Sequence, residues 1–170
     1  MNTVGISLGN VCYSAFWATN NGMRKTRNEG YKTCPFDLMI SNYKGTIACL
    51  NDNFSHLCDT NYLKMTPNGI VNTYYNFTFN HETPGHADLY LHENWQEGTN
   101  HFINNNFRNF KERYNRRICN FRQYLSNPNN SIIFIIQFVH DKTPNDNYSE
   151  LRQALKNKYP NLKYYIQVIP

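Results

Sequence analysis

The sequence predicts a single α/β domain, residues 1–170, in which helices cover a mixed, mostly parallel sheet. Three segments predict this class: an opening strand that turns into a helix, an alternating strand pattern in the middle, and a strand, helix and strand at the end. The length of 170 residues is close to the commonest domain size. With 40% hydrophobic and 15% aromatic residues, the chain has enough large apolar side chains for one core.

The first elements are a strand and a helix joined by a tight turn. Thr3 to Leu8 is a short apolar run, and the dipeptide Gly9-Asn10 follows it. Val11 to Thr19 then has apolar residues at helical spacing. The polar and basic segment 22–33 is expected to be a loop.

The middle of the chain contains a second helix and an alternating strand. Residues 35–40 are typical of a buried strand or an extended segment, and Ser41 or Asn42 is expected to cap a helix that continues through Leu50. Residues 71–79 alternate between apolar and polar, which indicates a half-buried strand or hairpin arm that ends close to a histidine.

The C-terminal part gives the clearest pattern. After an irregular segment at 83–99, aromatic residues recur every three or four positions over 100–125 and predict the longest helix. Residues 131–139 are a continuous apolar strand, 147–159 an amphipathic helix and 163–169 a final strand. This βαβ unit implies two parallel strands with a right-handed connection.

The formal charge of +5 is unevenly distributed. The basic residues from Arg108 to Arg117 are expected to form a solvated helix face, and nucleic acid is not an expected partner. An alternative function is a non-catalytic binding module, in which Arg24, Lys25, Arg27 or Arg117 holds an acidic or phosphorylated ligand. No cofactor is expected, because the chain has neither of the glycine-rich phosphate-binding motifs.

The five cysteines are odd in number and irregularly spaced, and no basic and apolar leader precedes them. Free thiols in a reducing, intracellular compartment, the cytoplasm, are therefore expected. No apolar run approaches the roughly 20 residues needed to cross a bilayer, so no membrane association is expected.

Cys12 is the main candidate for chemistry, because it lies where the first strand turns into a helix. Ligands gather beyond the carboxyl ends of parallel strands. A helix N-terminus stabilises a thiolate and lowers the pKa of the thiol, and the amide of Asn10 is placed to donate to an oxyanion. The competing interpretation is that Cys12 is a small packing residue, the common fate of a free cysteine.

A set of short motifs is spread along the chain: Ser7-Leu8-Gly9-Asn10-Val11-Cys12, Pro35-Phe36-Asp37, Asn53-Phe54, Phe79-Asn80-His81 and Arg116-Arg117-Ile118-Cys119-Asn120-Phe121. In this order they resemble a family of papain-like cysteine peptidases known from bacteria and large DNA viruses. The resemblance runs from about residue 4 to residue 139. It implies a thiol-dependent hydrolase or acyl transferase that acts on an acyl or peptide substrate.

The resemblance also implies site residues: Cys12 as the nucleophile, His81 as the base and Asp37 as the acid that orients the imidazole. An N-terminal cap explains Asp37 equally well. The chain departs from the family pattern at Leu38, where a Trp is usual, and at Glu82, where an Asp is usual.

A second histidine, His140, is an alternative base, because it ends a predicted parallel strand and is expected at the same sheet edge as Cys12. His81 and His86 are five residues apart, with a proline and a glycine between them, so no metal site is expected there. A papain-like arrangement would instead need His81 on an antiparallel sheet, which the parallel C-terminal unit does not provide.

Overall fold

The computed structural model describes residues 2–83, 95, 97–140, 144 and 146–170. Its helices are α1 (Tyr13–Asn20), α2 (Tyr43–Asn51), α3 (Asn104–Ser126) and α4 (Ser149–Lys158). Its strands are β1 (Asn2–Ser7), β2 (Leu63–Thr66), β3 (Gly69–Asn72), β4 (Phe77–Phe79), β5 (Asn130–Gln137) and β6 (Tyr164–Ile169). The predicted α/β class and the C-terminal β5-α4-β6 unit are confirmed.

The strands of the described residues form two sheets. The first is parallel, in the order β1-β5-β6, and the second is antiparallel, in the order β2-β3-β4. The parallel and antiparallel strands that the sequence predicts therefore lie in separate sheets. Within the described part of the chain, no helix is both long and apolar enough to span a membrane.

The two faces of the parallel sheet are covered by different helices. Successive side chains of β5 point to opposite faces. Ile133 packs with Ala18 of α1 in a small cluster, whereas Phe134 shares the main core with Leu151 of α4. The connections that leave β1 and β5 thus run to opposite faces, and a crevice for ligands is expected between them at the carboxyl edge of the sheet.

The segment between α1 and α2 differs from the predicted strand. Pro35–Leu38 is a 3₁₀ turn, and only Met39 and Ile40 are extended, with Ile40 bridging to Thr78 of β4. Pro35 has the fixed φ that suits the first position of a helical turn, and the carboxylate of Asp37 accepts from the Cys34 N–H at 2.8 Å. Local capping outweighs the apolar pattern here.

The alternating pattern of residues 71–79 belongs to two strands. The side chain of Asn72 accepts hydrogen bonds from the backbone N–H groups of Tyr74 and Tyr75, both at 3.0 Å. This local bonding ends β3 and forms a turn before β4 begins at Phe77. β4 then leads directly into the 3₁₀ turn Asn80–Glu82, which carries His81.

Candidate functional site

Cys12 lies five residues beyond the end of β1, at the N-cap of α1. Its carbonyl oxygen accepts from the N–H groups of Ala15 and Phe16, each at 3.1 Å, and the residue is half-buried. The prediction that Cys12 opens the first helix is confirmed. Its thiol is placed beyond the carboxyl end of a parallel strand, where open α/β sheets bind ligands.

Neutral hydrogen bonds hold the turn that carries Cys12. The hydroxyl of Ser14 donates to the Gly9 carbonyl at 2.8 Å and is 2.7 Å from the hydroxyl of Ser7. Ser7 in turn accepts from the Gly9 N–H at 3.2 Å, and both serines are fully buried. Gly9 has a φ of +114°, and a Cβ at this position would collide with the Ser41 hydroxyl. Only glycine fits this position.

The electrostatic surroundings of Cys12 differ from the sequence expectation. Burial raises the pKa of the Cys12 thiol, and a hydrogen bond from its own backbone N–H lowers it by less, so the pKa lies above its ordinary value of 9.0. The expected lowering by the helix N-terminus is therefore wrong for the free protein, because desolvation of the thiolate is the larger effect. The thiol is protonated at neutral pH.

Asn10 joins the loop after β1 to the end of β5. Its Nδ2 donates to the Gln137 carbonyl at 3.0 Å, and its carbonyl accepts from the Ser41 N–H at 2.7 Å. A cavity of about 20 Å³ lies beside this link, with Pro144 in its lining. This bond uses one of the two N–H donors of the amide, and the oxyanion role of Asn10 remains a prediction. His140 is exposed in the loop after β5, on the same edge of the sheet.

His81 lies at the end of the antiparallel sheet, in the turn after β4. Residues on both sides of it are fixed. Phe79 is fully buried against Phe110 and Tyr114 of α3, with ring centroids 4.6 and 4.9 Å apart. The Thr83 hydroxyl donates to the Phe79 carbonyl at 2.6 Å. His81 itself is only half-buried.

Glu82, the residue after His81, is the buried acid of this region. Its side chain has no exposed surface, and Oε1 accepts from Arg113 and Arg117, each at 3.0 Å. Oε2 accepts from the Tyr114 hydroxyl at 3.2 Å. In the sequence, Glu82 stands out only as a departure from the family pattern. The available signal was the spacing of Arg113 and Arg117, which places both on one helix face.

Asp37 is also buried, but its three observed donors are different ones. Its carboxylate accepts from Arg24 Nη1 at 2.8 Å, from the Tyr31 hydroxyl at 2.9 Å and from the Cys34 N–H at 2.8 Å. The interpretation of Asp37 as the cap of a turn is confirmed. Its role as the acid that orients His81 remains a prediction.

The guanidinium of Arg117 interacts with the charges of both buried acids, Glu82 and Asp37. Burial alone would lower the pKa of its guanidinium, but the charge of Glu82, with smaller contributions from Tyr114 and Asp37, raises it. Arg117 is 6% exposed, so the expected solvated helix face does not include it, although Arg116 is exposed. An external acidic ligand at Arg117 would have to compete with Glu82.

The phenylalanines of three sequence motifs meet in the core. The rings of Phe36, Phe54 and Phe121 form a triangle with centroid separations of 5.9, 6.2 and 5.5 Å. Such edge-to-face and tilted pairs stabilise a core beyond the area that they bury. The structure therefore gives these three motifs a packing role in the core.

In a comparison with known protein families, residues 3–170 of the chain match the family described as "Putative papain-like cysteine peptidase". The chain belongs to this family. The match continues through α4 and β6, beyond the residues 4–139 over which the motifs show the resemblance. No curated protein and no solved structure matches the chain.

Two elements that a papain-like arrangement needs are present in this family member. Cys12 begins a helix, and an antiparallel sheet leads into His81. The parallel βαβ unit belongs to a separate sheet. All five cysteines are free thiols. Among the described residues, no three His, Cys, Asp or Glu side chains come together as a metal site, and His86 and His92 lie outside those residues.

Proposed function

We propose that this protein is a thiol-dependent hydrolase or acyl transferase with Cys12 as its nucleophile. The observation that carries the proposal is the position of Cys12, half-buried at the N-cap of α1 and at the carboxyl edge of the parallel sheet. The connections after β1 and β5 diverge at this edge, which is where a ligand is expected in such a fold. Membership of a papain-like peptidase family supports the same residue.

The chemistry follows that of other activated thiols. The base takes the Sγ proton of Cys12 while the sulfur attacks the acyl carbon, and the carbonyl electrons move onto the oxygen. In this proposal, an N–H of the Asn10 amide and the backbone N–H of Cys12 bind the oxyanion. The oxyanion collapses, the leaving group departs with the proton from the base, and water or another acceptor then cleaves the thioester.

A separate base is required because the free thiol is protonated. The raised pKa of Cys12 leaves little thiolate at neutral pH, so proton transfer must accompany the attack. His81 is the proposed base, since its turn is held rigidly on both sides and it follows an antiparallel strand, as the family resemblance implies. His140, on the same sheet edge as Cys12, is the alternative.

The test is the reaction with p-nitrophenyl acetate, which releases nitrophenol as the thiol is acylated. We expect a burst of about one equivalent from the wild type, with the acetyl group on Cys12 by peptide mass spectrometry. Cys12→Ala should abolish the burst, whereas Cys119→Ser, which removes an exposed thiol, should leave it unchanged.

Two further variants identify the base. His81→Ala should slow the burst by about 100-fold or more at neutral pH, the usual contribution of a general base, and His140→Ala should not. The reverse result would assign the base to His140. A burst that survives in Cys12→Ala would exclude the proposed nucleophile.

A second candidate function is binding of an acidic ligand in a groove at the opposite edge of the parallel sheet. This groove of about 560 Å³ is lined by Arg24, Lys25 and Lys32 and by one acid, Glu29. Its volume is within the usual range for small-molecule sites. Arg24 and Lys25 are two of the basic residues that the sequence suggested for this role.

The groove is tested by titrating the protein with inorganic phosphate and glucose 6-phosphate, followed by NMR. Specific binding should shift backbone resonances of residues 24–32 and should weaken in the double variant of Lys25→Ala and Lys32→Ala. Lys64→Ala, on the antiparallel sheet, is the control and should bind normally. Equal shifts in all three proteins would exclude this second function.

A further inference from the structure

We propose that Glu82 is the positioning residue for His81, held in a clamp formed by Arg113, Tyr114 and Arg117 of α3. The inference rests on the proposed function, in which His81 is the base. It assigns a role to the acid that follows the histidine in the chain. It also gives the buried charges of α3 a functional purpose in addition to their contribution to packing.

The clamp binds both oxygens of the carboxylate. Oε1 accepts from Arg113 and Arg117 at 3.0 Å each, and Oε2 accepts from Tyr114 at 3.2 Å. The side chain of Glu82 is fully buried. Hydrogen bonds to a charged group are stronger than those between neutral groups, so the side chain of the residue beside His81 is tied to α3.

The opposite side of the turn is fixed as well. The ring of Phe79 packs on α3, and the Thr83 hydroxyl bonds to the Phe79 carbonyl at 2.6 Å while it accepts from the Ile70 N–H at 3.1 Å. His81 thus stands half-buried between anchored neighbours. A general base must be held in a narrow range of positions to take a proton efficiently. The anchored turn restricts the position of His81 in this way.

The charges around the turn predict how the pH profile depends on Glu82. Two arginines bind its carboxylate, and the second acid near Arg117 is Asp37, itself paired with Arg24. Without the charge of Glu82, Arg113 and Arg117, which bind the residue next to His81 in the chain, would lose their counter-ion. Uncompensated positive charge at this turn makes the imidazolium less favourable, so we expect the acidic limb of a His81-dependent rate profile to move to lower pH.

The test is the pH profile of the acylation burst in Glu82→Gln, which keeps the size of the side chain and removes its charge. We expect a maximal rate about 10- to 100-fold below wild type, because a misplaced base loses much of its effect, an unchanged KM, and the shifted acidic limb. Glu97→Gln is the matched control, since Glu97 also pairs with an arginine of α3, Arg108, but this arginine is exposed. It should keep the wild-type profile.

Two milder variants keep the test open if Glu82→Gln does not fold. Tyr114→Phe removes one donor from the clamp, and Arg113→Lys retains the charge but loses the guanidinium geometry. Each should lower the maximal rate severalfold with KM unchanged. A wild-type rate and profile in a folded clamp variant, even one with a lowered melting temperature, would overturn the inference.

The outcome also separates this inference from the proposed function. If His81→Ala is acylated at the wild-type rate, the assignment of His81 as the base fails, and the clamp has no base to position. If His81→Ala is slow while Glu82→Gln behaves like wild type, the proposed function stands and only the positioning role of Glu82 is overturned.

Discussion

The turns that carry Cys12 and His81 are held by different kinds of interaction. Neutral hydroxyl and backbone hydrogen bonds hold the Cys12 turn, with Ser7 and Ser14 buried beneath it. The His81 turn is held through Glu82, by ion pairs to two arginines of α3. One turn is thus anchored without formal charge and the other through a buried carboxylate.

This difference has a chemical consequence. A neutral, partly buried setting disfavours the thiolate, which is why the pKa of Cys12 is raised. The formal charges lie instead at the turn that carries His81, where Glu82 binds Arg113 and Arg117. A low reactivity of the Cys12 thiol in the free protein is therefore expected.

The largest expected effect on stability comes from breaking the ion pair between Arg117 and Glu82. Arg117→Met should lower the free energy of unfolding by about 3 kcal/mol, because removing one partner leaves buried carboxylate charge without full compensation. The measurement is urea-induced unfolding followed by circular dichroism. Arg116→Met, a change to the exposed neighbour, is the matched control and should stay within about 0.5 kcal/mol of wild type.

An equal loss in the two variants would contradict the comparison. It would mean that the ion pair of Arg117 with Glu82 contributes no more to stability than a surface charge does. The buried position of Arg117, at 6% exposure, would then reflect packing of its aliphatic part alone.

Much of the fold could be predicted from local pattern. The apolar runs of β1 and β5, the helical spacing of α4 and the cap of α2 at Asn42, whose side chain accepts from the Gly45 N–H, can all be recognised within a few consecutive residues. The 3₁₀ turn at Pro35–Leu38 could not be predicted in this way. Its apolar side chains are typical of a strand, but Pro35 at the first position and the capping carboxylate of Asp37 favour the turn.

The candidate site was harder to predict than the fold. The sequence placed Cys12 correctly at a helix start, because the strand and the turn before it are local features. The sign of its pKa shift depends on how much surrounding protein excludes water, which no local pattern reports. The clamp on Glu82 joins residues more than thirty positions apart, so it required the packing of α3 against the antiparallel sheet.

A smaller loss of stability is expected when the neutral hydrogen bonds of the Cys12 turn are removed. Ser14→Ala removes the bonds to the Gly9 carbonyl and to the Ser7 hydroxyl, and it leaves both buried groups short of a partner. The expected loss is about 1 to 3 kcal/mol in the same urea experiment. Ser55→Ala, at an exposed position, should change stability by less than about 0.5 kcal/mol. A loss in Ser14→Ala larger than that in Arg117→Met would reverse the comparison.

The smallest effect concerns the reactivity of Cys12 in the free protein. Rates of alkylation by iodoacetamide follow the thiolate fraction, and burial keeps the pKa of Cys12 above 9.0. At pH 8 Cys12 should therefore react severalfold more slowly than the exposed Cys119, and its rate should continue to rise as the pH passes 9.0. Peptide mass spectrometry measures both thiols in one sample. A Cys12 rate that is already maximal at pH 7 would show that a charged group stabilises the thiolate without substrate, and the contrast between the two turns would not hold.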